Sequence, residues 1–469
     1  MLALALMANL AFEQSLGRGL DISLDLYLID AVYRLAVGNL GRTSTWLLLV
    51  AILGVVGASI AGLGWLLAPS HVDGHQAGGL RRRRLGTAVA GTGLCLGLLG
   101  AAVPPLYTRA PAPALSFIWI QAAELRARRL EREAFAGDLE AQPTLPDSSA
   151  LLRRLGGHSV VLGYLESYGT VALEDPQFLA VVRPLLEGAQ SRFDSAGIHM
   201  VTGRLVSPTL GGQSWYAHGT MLSGLWLENQ LRYELLLASA RSTLVDDFRR
   251  AGYRTATVMP AITTAWPEAV RIGYDDVYTS QNMGYAGPPF YWVAMPDQFT
   301  WSFIGGLLRD ANAPVFIESG MVSSHAPWTP IIPLVDWSTI GDGSVFGRHR
   351  VVGEPPDDVW WDVGALRAGY ALSIAYSLEA MVQFAERYLD DRTLLIVAGD
   401  HQAAPWVTGS SAFDVPVHVL SRDGAVLEPF TELGFVQGAF PDASWPAHRM
   451  DEFRVWFLDA YSESVAPRS

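Results

Sequence analysis

The pattern of apolar and polar positions divides the chain into two unlike parts. Two stretches, 46–68 and 85–107, contain no charged residue, and each is long enough to supply the roughly 20 residues with which a helix crosses a bilayer. From about residue 151 onward, short apolar runs alternate with amphipathic stretches. This alternation is typical of strands and helices that follow one another around a parallel sheet. The pattern therefore predicts two transmembrane helices followed by a large α/β domain.

Short apolar runs bounded by turn residues predict strands in the second part, and apolar residues spaced three or four apart predict helices. The predicted strands cover 160–165, 253–259, 315–322 and 394–398, and the predicted helices cover 242–251, 301–309 and 366–389. The first of these helices has Ser242 as its cap and is stopped by Gly252. We therefore expect residues 151–469 to form one catalytic domain of the α/β class around a mostly parallel sheet.

The segments before residue 151 are arranged around the two predicted spans. Residues 1–45 are predicted to be a short apolar segment and an external loop, and we leave open whether the apolar segment ends a further transmembrane helix. The loop between the spans carries four consecutive arginines, 81–84, which predicts that it is cytoplasmic. Residues 108–150, a juxtamembrane helix and linker, then lie outside. The sequence thus predicts a multi-pass protein of the cytoplasmic membrane with its large domain on the external or periplasmic side.

The composition agrees with a membrane-spanning part and argues against several kinds of partner and site. Of the 469 residues, 50% are hydrophobic and 17% are charged, and the mean hydropathy of +0.22 is high for a soluble protein of this size. The net charge of −13 and the lack of a basic patch argue against nucleic acid as a partner. Cys95 is the one cysteine, so that an intrachain disulfide and a cysteine zinc site are both excluded. The oligomeric state is left open.

Acidic residues and a histidine follow two of the predicted strands. Asp400 and His401 come directly after 394–398 and the turn residue Gly399, and Glu166 follows 160–165. Sites in open α/β sheets form at the carboxyl edge of the strands, and carboxylates beside an imidazole are suitable ligands for a divalent metal ion. Taken singly, each of these residues is more often a surface turn residue or a helix cap than a metal ligand.

Ser214 and His325 are two further candidates, each with an ordinary structural alternative. Ser214 follows two glycines and opens a predicted helix, whose N-terminus favours an alkoxide and an anionic substrate. The same serine would also serve as a plain helix cap. His325 lies just past the strand predicted at 315–322, and a lone histidine there is more often structural than functional.

Taken together and in order, these motifs resemble the alkaline phosphatase superfamily in its sulfatase-like branch. Within that branch the chain is most similar to membrane-anchored transferases of the lipoteichoic acid synthase type and to related phosphoethanolamine or phosphoglycerol transferases. The resemblance covers about half of the chain. The matching motifs are Glu166 after a strand, Ser214 with Ser223-Gly224, His325-Ala-Pro-Trp328, Gly399-Asp400-His401 and Val415-Pro416.

The resemblance implies a mostly parallel central sheet sandwiched by helices and one divalent metal ion. The ion would be Mn²⁺ or Mg²⁺, with Zn²⁺ as a further candidate. Its ligands would be Glu166, Ser214, Asp400 and His401, and His325 would contact the substrate phosphate. Ser214 would attack phosphorus and form a phosphoseryl intermediate. The donor would be a membrane phospholipid, and the acceptor would be a glycan or a lipid.

The chain departs from two of the family's patterns. Sulfatases carry an arginine four residues after the nucleophile, where this chain has His218. Lipoteichoic acid synthases use a His-Trp-Arg group, but this chain has no histidine between 220 and 324, which leaves Trp266 and Arg271 as candidate substrate-binding residues. Two alternatives stay open: a sulfatase-like hydrolase or phosphodiesterase, and a catalytically silent envelope protein with the same fold.

Overall fold

The computed structural model describes residues 113–143, 146–291, 293–442 and 446–463, together with 41–51 and some single positions before residue 55. Residues 41–51 are helical, and most of the span predicted at 46–68 lies outside the described residues. The arginine loop and the span predicted at 85–107 lie wholly outside them. In the part of the chain that is described, no helix combines the length and the apolar character needed to cross a membrane.

The chain divides into two compact units. One comprises residues 1–13 and 19–131, and the other comprises 14–18 and 132–469. The predicted domain boundary near residue 151 falls inside the second unit, which contains the sheet and the candidate site described below.

The described residues of the second unit form a nine-stranded mixed sheet. In chain order the strands are β1 (Ser159–Leu165), β2 (His199–Val206), β3 (Arg254–Met259), β4 (Asp276–Thr279), β5 (Val315–Gly320), β6 (Thr393–Gly399), β7 (Asp414–Ser421), β8 (Val436–Gln437) and β9 (His448–Arg449). Their order in the sheet is β4-β3-β5-β1-β6-β7-β2-β8, with β9 also paired to β2. The five strands from β4 to β6 are parallel, whereas β7, β2 and β8 continue antiparallel.

Helices connect these strands. In chain order they are α1 (Pro113–Glu140), α2 (Val171–Glu174), α3 (Pro176–Ala196), α4 (Ser214–Ser223), α5 (Gln230–Ala238), α6 (Leu244–Arg250), α7 (Pro267–Ile272), α8 (Asp297–Asp310), α9 (Pro356–Val359), α10 (Val363–Tyr388), α11 (Pro405–Thr408), α12 (Glu428–Glu432) and α13 (Phe453–Tyr461). The longest connection inside the sheet domain is α10, which leads directly into β6.

The two faces of the sheet contribute to two separate apolar cores. Side chains alternate along a strand, so that Val161 of β1 packs into one core while Val160 and Leu162 pack into the other. Phe178 of α3 lies in the first core, and Phe248 of α6 lies in the second. Because both faces are covered, β1 and β6 are buried along almost their whole length, as parallel strands require. The predicted α/β class, with a mostly parallel sheet between helices, is confirmed.

Several predicted boundaries were wrong, among them the starts of α8 and α10, which begin at Asp297 and Val363 rather than at 301 and 366. The helix predicted at 242–251 is α6, and its cap is Thr243 rather than Ser242. Thr243 and Asp246 form a capping box, in which the Asp246 carboxylate accepts from the backbone N–H of Thr243 at 2.9 Å. The strand predicted at 315–322 ends at Gly320, because the backbone N–H groups of Val322 and Ser323 donate to the carboxylate of Asp297.

Candidate active site

The pairing of β1 with β6 brings the predicted acidic residues to one point. The two strands are adjacent and parallel, and Leu165 is in register with Gly399. Glu166 and Asp400 are therefore the equivalent next residues at the carboxyl edge of the sheet. Each leaves its strand at a turn, and Ser167 adopts a left-handed conformation with φ of 61°. Residues far apart in the sequence thus meet because of strand register alone.

Glu166, Asp400 and His401 form a compact group. One oxygen of each carboxylate and one ring nitrogen of the histidine all lie within 4.8 Å of one another. His401 Nε2 is 3.2 Å from Glu166 Oε1 and 3.8 Å from Asp400 Oδ2. Asp400 and His401 are buried, with 2% and 1% of their surfaces exposed. The sequence-based expectation that these three side chains converge agrees with this geometry.

Ser214 reaches the same group from a third segment. It is the first residue of α4, and the preceding Gln213 has a φ of 66°, a value that few residues other than glycine adopt. This sharp entry into the helix turns the serine hydroxyl toward the sheet edge. Ser214 Oγ donates a hydrogen bond of 3.1 Å to Glu166 Oε2. The hydroxyl therefore lies beside the acidic group and at the positive end of a ten-residue helix.

Surrounding hydrogen bonds fix the orientation of each acidic group. The backbone N–H groups of Ser167 and His401 both donate to Asp400 Oδ1, at 2.8 and 2.6 Å. The Ser167 hydroxyl donates to Glu166 Oε1 at 3.0 Å. His401 Nδ1 lies 3.0 Å from the carbonyl oxygen of Gln402, to which it can only donate. In the neutral ring, the lone pair of Nε2 therefore points at the two carboxylates.

Crowding and burial shift the pKa values of the group in opposite directions. Burial raises the pKa of Glu166, but the charges of His401 and His325 outweigh it, so that the pKa lies well below its usual range. Burial and repulsion by Glu166 raise the pKa of Asp400 to about 6. Burial lowers the pKa of His401, but the two carboxylates overcome that effect and raise it to about 9.

The three side chains fit a divalent metal ion. His401 Nε2 is buried without a hydrogen-bond partner among the described residues, and it faces two carboxylates. A proton on this nitrogen offsets only one of the two carboxylate charges, so that a divalent cation would compensate the buried group more fully. Carboxylate oxygens with one imidazole suit Mn²⁺, Mg²⁺ and Zn²⁺. A metal-binding histidine usually donates its other ring N–H to a carbonyl or carboxylate, as His401 does to Gln402.

The remaining predicted residues lie less centrally. His325 is exposed, and its charge contributes to the lowered pKa of Glu166. Arg271 is exposed and donates to the carbonyl oxygen of Leu237, while Trp266 packs against the second apolar core. Within the described part of the chain, neither Arg271 nor Trp266 forms a hydrogen bond or ion pair with the acidic group. A role for these two in substrate binding stays a prediction.

Sequence reasoning passed over one residue pair beside the site. His218 lies four residues after Ser214 on α4, and its Nδ1 is 3.3 Å from Oε1 of the buried Glu318 on β5. In the sequence, position 218 was considered only because sulfatases have an arginine there and this chain has a histidine. The spacing of four residues after a candidate nucleophile was the available signal, since it places both side chains on one helix face.

Similarity to known proteins is found in structure and not in sequence. No family model and no curated protein matches the sequence. The chain is similar in structure to the integral membrane protein lipooligosaccharide phosphoethanolamine transferase A from Neisseria meningitidis, with 14% identity and a TM-score of 0.48, over 99% of this chain and 84% of that one.

Two further solved structures are similar at the same level. One is a protein of the alkaline phosphatase superfamily from Vibrio parahaemolyticus, with 16% identity and a TM-score of 0.42, over 65% of this chain and 66% of that one. The other is the lipoteichoic acid synthase LtaP from Listeria monocytogenes, with 13% identity and a TM-score of 0.40, over 68% of this chain and 74% of that one. Likeness at this level concerns the fold, and no activity of this chain follows from it.

Proposed function

We propose that the protein is a membrane-anchored, metal-dependent phosphotransferase. It moves a phospholipid-derived head group, of the phosphoglycerol or phosphoethanolamine type, onto a hydroxyl of an envelope glycan or lipid. The observation that carries the proposal is the meeting of the Ser214 hydroxyl with Glu166, Asp400 and His401 at the carboxyl edge of the sheet. A nucleophile at a helix N-terminus beside a group suited to a cation is the arrangement that phosphoryl transfer needs.

Each residue has a distinct part in this reaction. Glu166, Asp400 and His401, with Ser214, would hold a divalent ion, which lowers the pKa of the serine hydroxyl and offsets charge on the phosphoryl oxygens. Ser214 Oγ attacks phosphorus, the bond to the lipid alcohol breaks, and the head group stays on the enzyme as a phosphoserine ester. The acceptor hydroxyl then attacks the same phosphorus, and Ser214 leaves with its oxygen.

The substrate class rests on the sequence. The predicted spans at 46–68 and 85–107 would keep the domain next to a lipid donor, and the arginine loop predicts an external position for it. Reporter fusions at Gly78 and Ala466 test this arrangement. We expect a cytoplasm-active reporter to work at Gly78 and to be silent at Ala466. Activity of that reporter at Ala466 would contradict an envelope function.

Trapping of the intermediate tests the reaction. The purified protein is incubated with Mn²⁺ and phosphatidylglycerol or phosphatidylethanolamine and is then analysed by mass spectrometry of its peptides. We expect an adduct on the peptide that contains Ser214, with a mass that identifies the head group. Chelation of the metal and Ser214→Ala should each abolish the adduct. A protein that binds no metal and forms no adduct with either lipid would be a silent scaffold, whereas release of free head group into water would indicate a hydrolase.

A further inference from the structure

The helix that carries Ser214 has one open face. Seven of the ten residues of α4 are buried, and the three that are not are Ser214, Trp215 and His218. Ser214 and His218 are four residues apart and therefore lie on the same side of the helix. Side chains on an α-helix lean toward its N-terminus, so that the imidazole of His218 leans toward the Ser214 end.

The ring of His218 is held on several sides. It stacks on the phenol ring of Tyr164, with 3.8 Å between ring centroids and 16° between the planes. Its Nδ1 lies 3.3 Å from Glu318 Oε1. Gly320 provides room at the ring edge, because a Cβ at that position would stand 3.2 Å from Cε1 of His218. The imidazole therefore has a defined orientation before any substrate binds.

Glu318 determines which ring nitrogen of His218 is engaged within the fold. This carboxylate is 1% exposed, and its other oxygen accepts a hydrogen bond from the hydroxyl of Tyr274. A buried carboxylate is costly unless a donor or a cation compensates it. Glu318 Oε1 has no hydrogen-bond partner among the described residues, and His218 Nδ1 faces it at 3.3 Å, so that a proton on Nδ1 would compensate it. A carboxylate on Nδ1 leaves Nε2 as the nitrogen that can exchange a proton.

His418, which is fully buried, provides a comparison with a histidine in a structural role. His418 has Nε2 at 2.9 Å from the hydroxyl of Tyr168 and Nδ1 at 2.9 Å from Thr202 Oγ1, so that both of its nitrogens are used inside the core. Within the described residues, His218 Nε2 makes no such bond, and the side chain keeps 14% of its surface exposed. The contrast indicates that Nε2 of His218 is available to a bound molecule, whereas both nitrogens of His418 are used within the fold.

We propose that His218 is a catalytic acid–base residue of the transfer reaction and that Glu318 positions it. This inference rests on the proposed function. When Ser214 Oγ attacks phosphorus and the bond to the donor alcohol breaks, the leaving oxygen takes a proton from His218 Nε2. When the acceptor hydroxyl attacks the phosphoserine ester and the bond to Ser214 breaks, its proton passes to the same Nε2. Ser214 attacks and leaves as the alkoxide that a bound ion would favour, its own proton having passed to solvent beforehand. One proton thus moves from acceptor to donor alcohol in each cycle, and the histidine is restored.

The experiment uses a series of aryl phosphodiesters with leaving groups from 4-nitrophenol to 4-methoxyphenol. A good leaving group departs without a proton, whereas a poor one needs the acid. For His218→Asn we expect kcat/KM, which reports the step that releases the leaving group, to fall on the order of 100-fold or more with 4-methoxyphenol, but less than about tenfold with 4-nitrophenol. Glu318→Gln should show the same trend with a smaller loss, and it also provides the answer if His218→Asn does not fold.

His448→Asn is the matched control. His448 on β9 also faces a glutamate, with Nδ1 at 3.5 Å from Glu452 Oε2, but it takes no part in the proposed chemistry. This variant should keep the wild-type dependence on the leaving group. Equal losses across the series for His218→Asn and Glu318→Gln, or no loss at all, would overturn the role of His218. Absence of any Ser214-dependent turnover in the wild type would instead overturn the proposed function, and the role of His218 with it.

Discussion

Two buried groups of charged side chains in the same domain differ in how their charges are balanced. Asp247 on α6 and Arg454 on α13 are both 0% exposed, and Arg454 Nε donates to Asp247 Oδ2 at 2.8 Å. The remaining guanidinium nitrogens donate to the carbonyl oxygens of Ser223 and Ser242 and to the Ser242 hydroxyl. At the sheet edge, Glu166 and Asp400 instead crowd a histidine whose Nε2 has no hydrogen-bond partner among the described residues.

The difference separates a structural pair from a functional group. The Asp247–Arg454 pair carries its own counter-charge, although Asp247 Oδ1 has no hydrogen-bond partner among the described residues. The group at the sheet edge places two carboxylates against one imidazole, so that a cation would relieve both the repulsion and the unpaired nitrogen. Burial of charge is therefore not evidence of function by itself. An excess of one sign, together with a nucleophile in contact, is what marks the sheet edge.

Loss of the nucleophile gives the largest expected effect. Ser214→Ala should lower turnover of a phosphodiester by several orders of magnitude, because no other hydroxyl on α4 replaces the attacking oxygen. Stability should change by no more than about 1 kcal/mol, the usual scale for a helix-terminal serine. Steady-state kinetics and thermal unfolding of the same sample measure both. Ser223→Ala, at the other end of α4, is the control and should remain active.

A variant of Ser214 that kept most of its activity would contradict the covalent mechanism. In that case Ser214 would be only the first residue of a helix, and the hydrogen bond to Glu166 would be structural.

Breaking the structural pair should affect stability and leave metal binding intact. Arg454→Met leaves the Asp247 carboxylate buried without its cation, for which about 3–5 kcal/mol of unfolding free energy is typical. Chemical denaturation measures the loss. The double variant Asp247→Leu/Arg454→Met should recover much of it, because no charge is then left uncompensated. Loss of bound Mn²⁺ in a folded Arg454→Met protein would show that the two groups are not independent.

The residues that follow the ends of the strands are the part of the site that could be predicted from the sequence. Glu166 and Asp400 follow buried apolar runs, and parallel strands bring such ends to one edge whatever lies between them. The cap of α6 was mistaken because Ser242 and Thr243 are adjacent hydroxyl residues. The choice depends on Asp246, which lies three residues after Thr243 and completes the capping box.

The pairing of His218 with Glu318 could not be predicted in the same way. Glu318 lies inside an apolar strand, and only the placement of α4 against β5 brings it to the histidine. Trp266 and Arg271 were chosen because the family's own binding group was absent, and no periodicity or spacing supported them. Contacts between elements distant in the sequence depend on packing, which a single sequence does not encode in any local pattern.

Removal of one supporting hydroxyl should weaken the metal site without dismantling it. Ser167→Ala deletes the hydrogen bond to Glu166 Oε1 and keeps the backbone N–H that donates to Asp400. Loss of such an outer partner typically lowers metal affinity about 10–100-fold. Titration with Mn²⁺ by calorimetry measures it. Ser421→Ala is the control, because its buried hydroxyl bonds to Thr393 at the opposite end of β6, and its affinity for Mn²⁺ should not change.

The pH dependence of metal binding tests the charge excess directly. In the metal-free protein, the pKa of Asp400 is about 6 and that of His401 about 9. Between these values Asp400 is already ionised, but His401 still carries a proton that must leave before Nε2 can bind a metal. The affinity for Mn²⁺ should therefore rise by up to roughly tenfold per pH unit from pH 6 to 9.

Calorimetry in two buffers with different heats of ionisation counts the protons released. We expect about one proton per metal ion near pH 7.5, a second one as the pH falls below the pKa of Asp400, and none well above that of His401. The Asp247–Arg454 pair, which binds no metal, should make no contribution, so the Arg454→Met variant should release the same number. An affinity that did not change across this range would mean that His401 is neutral before the metal arrives and that the carboxylates do not hold a proton on it.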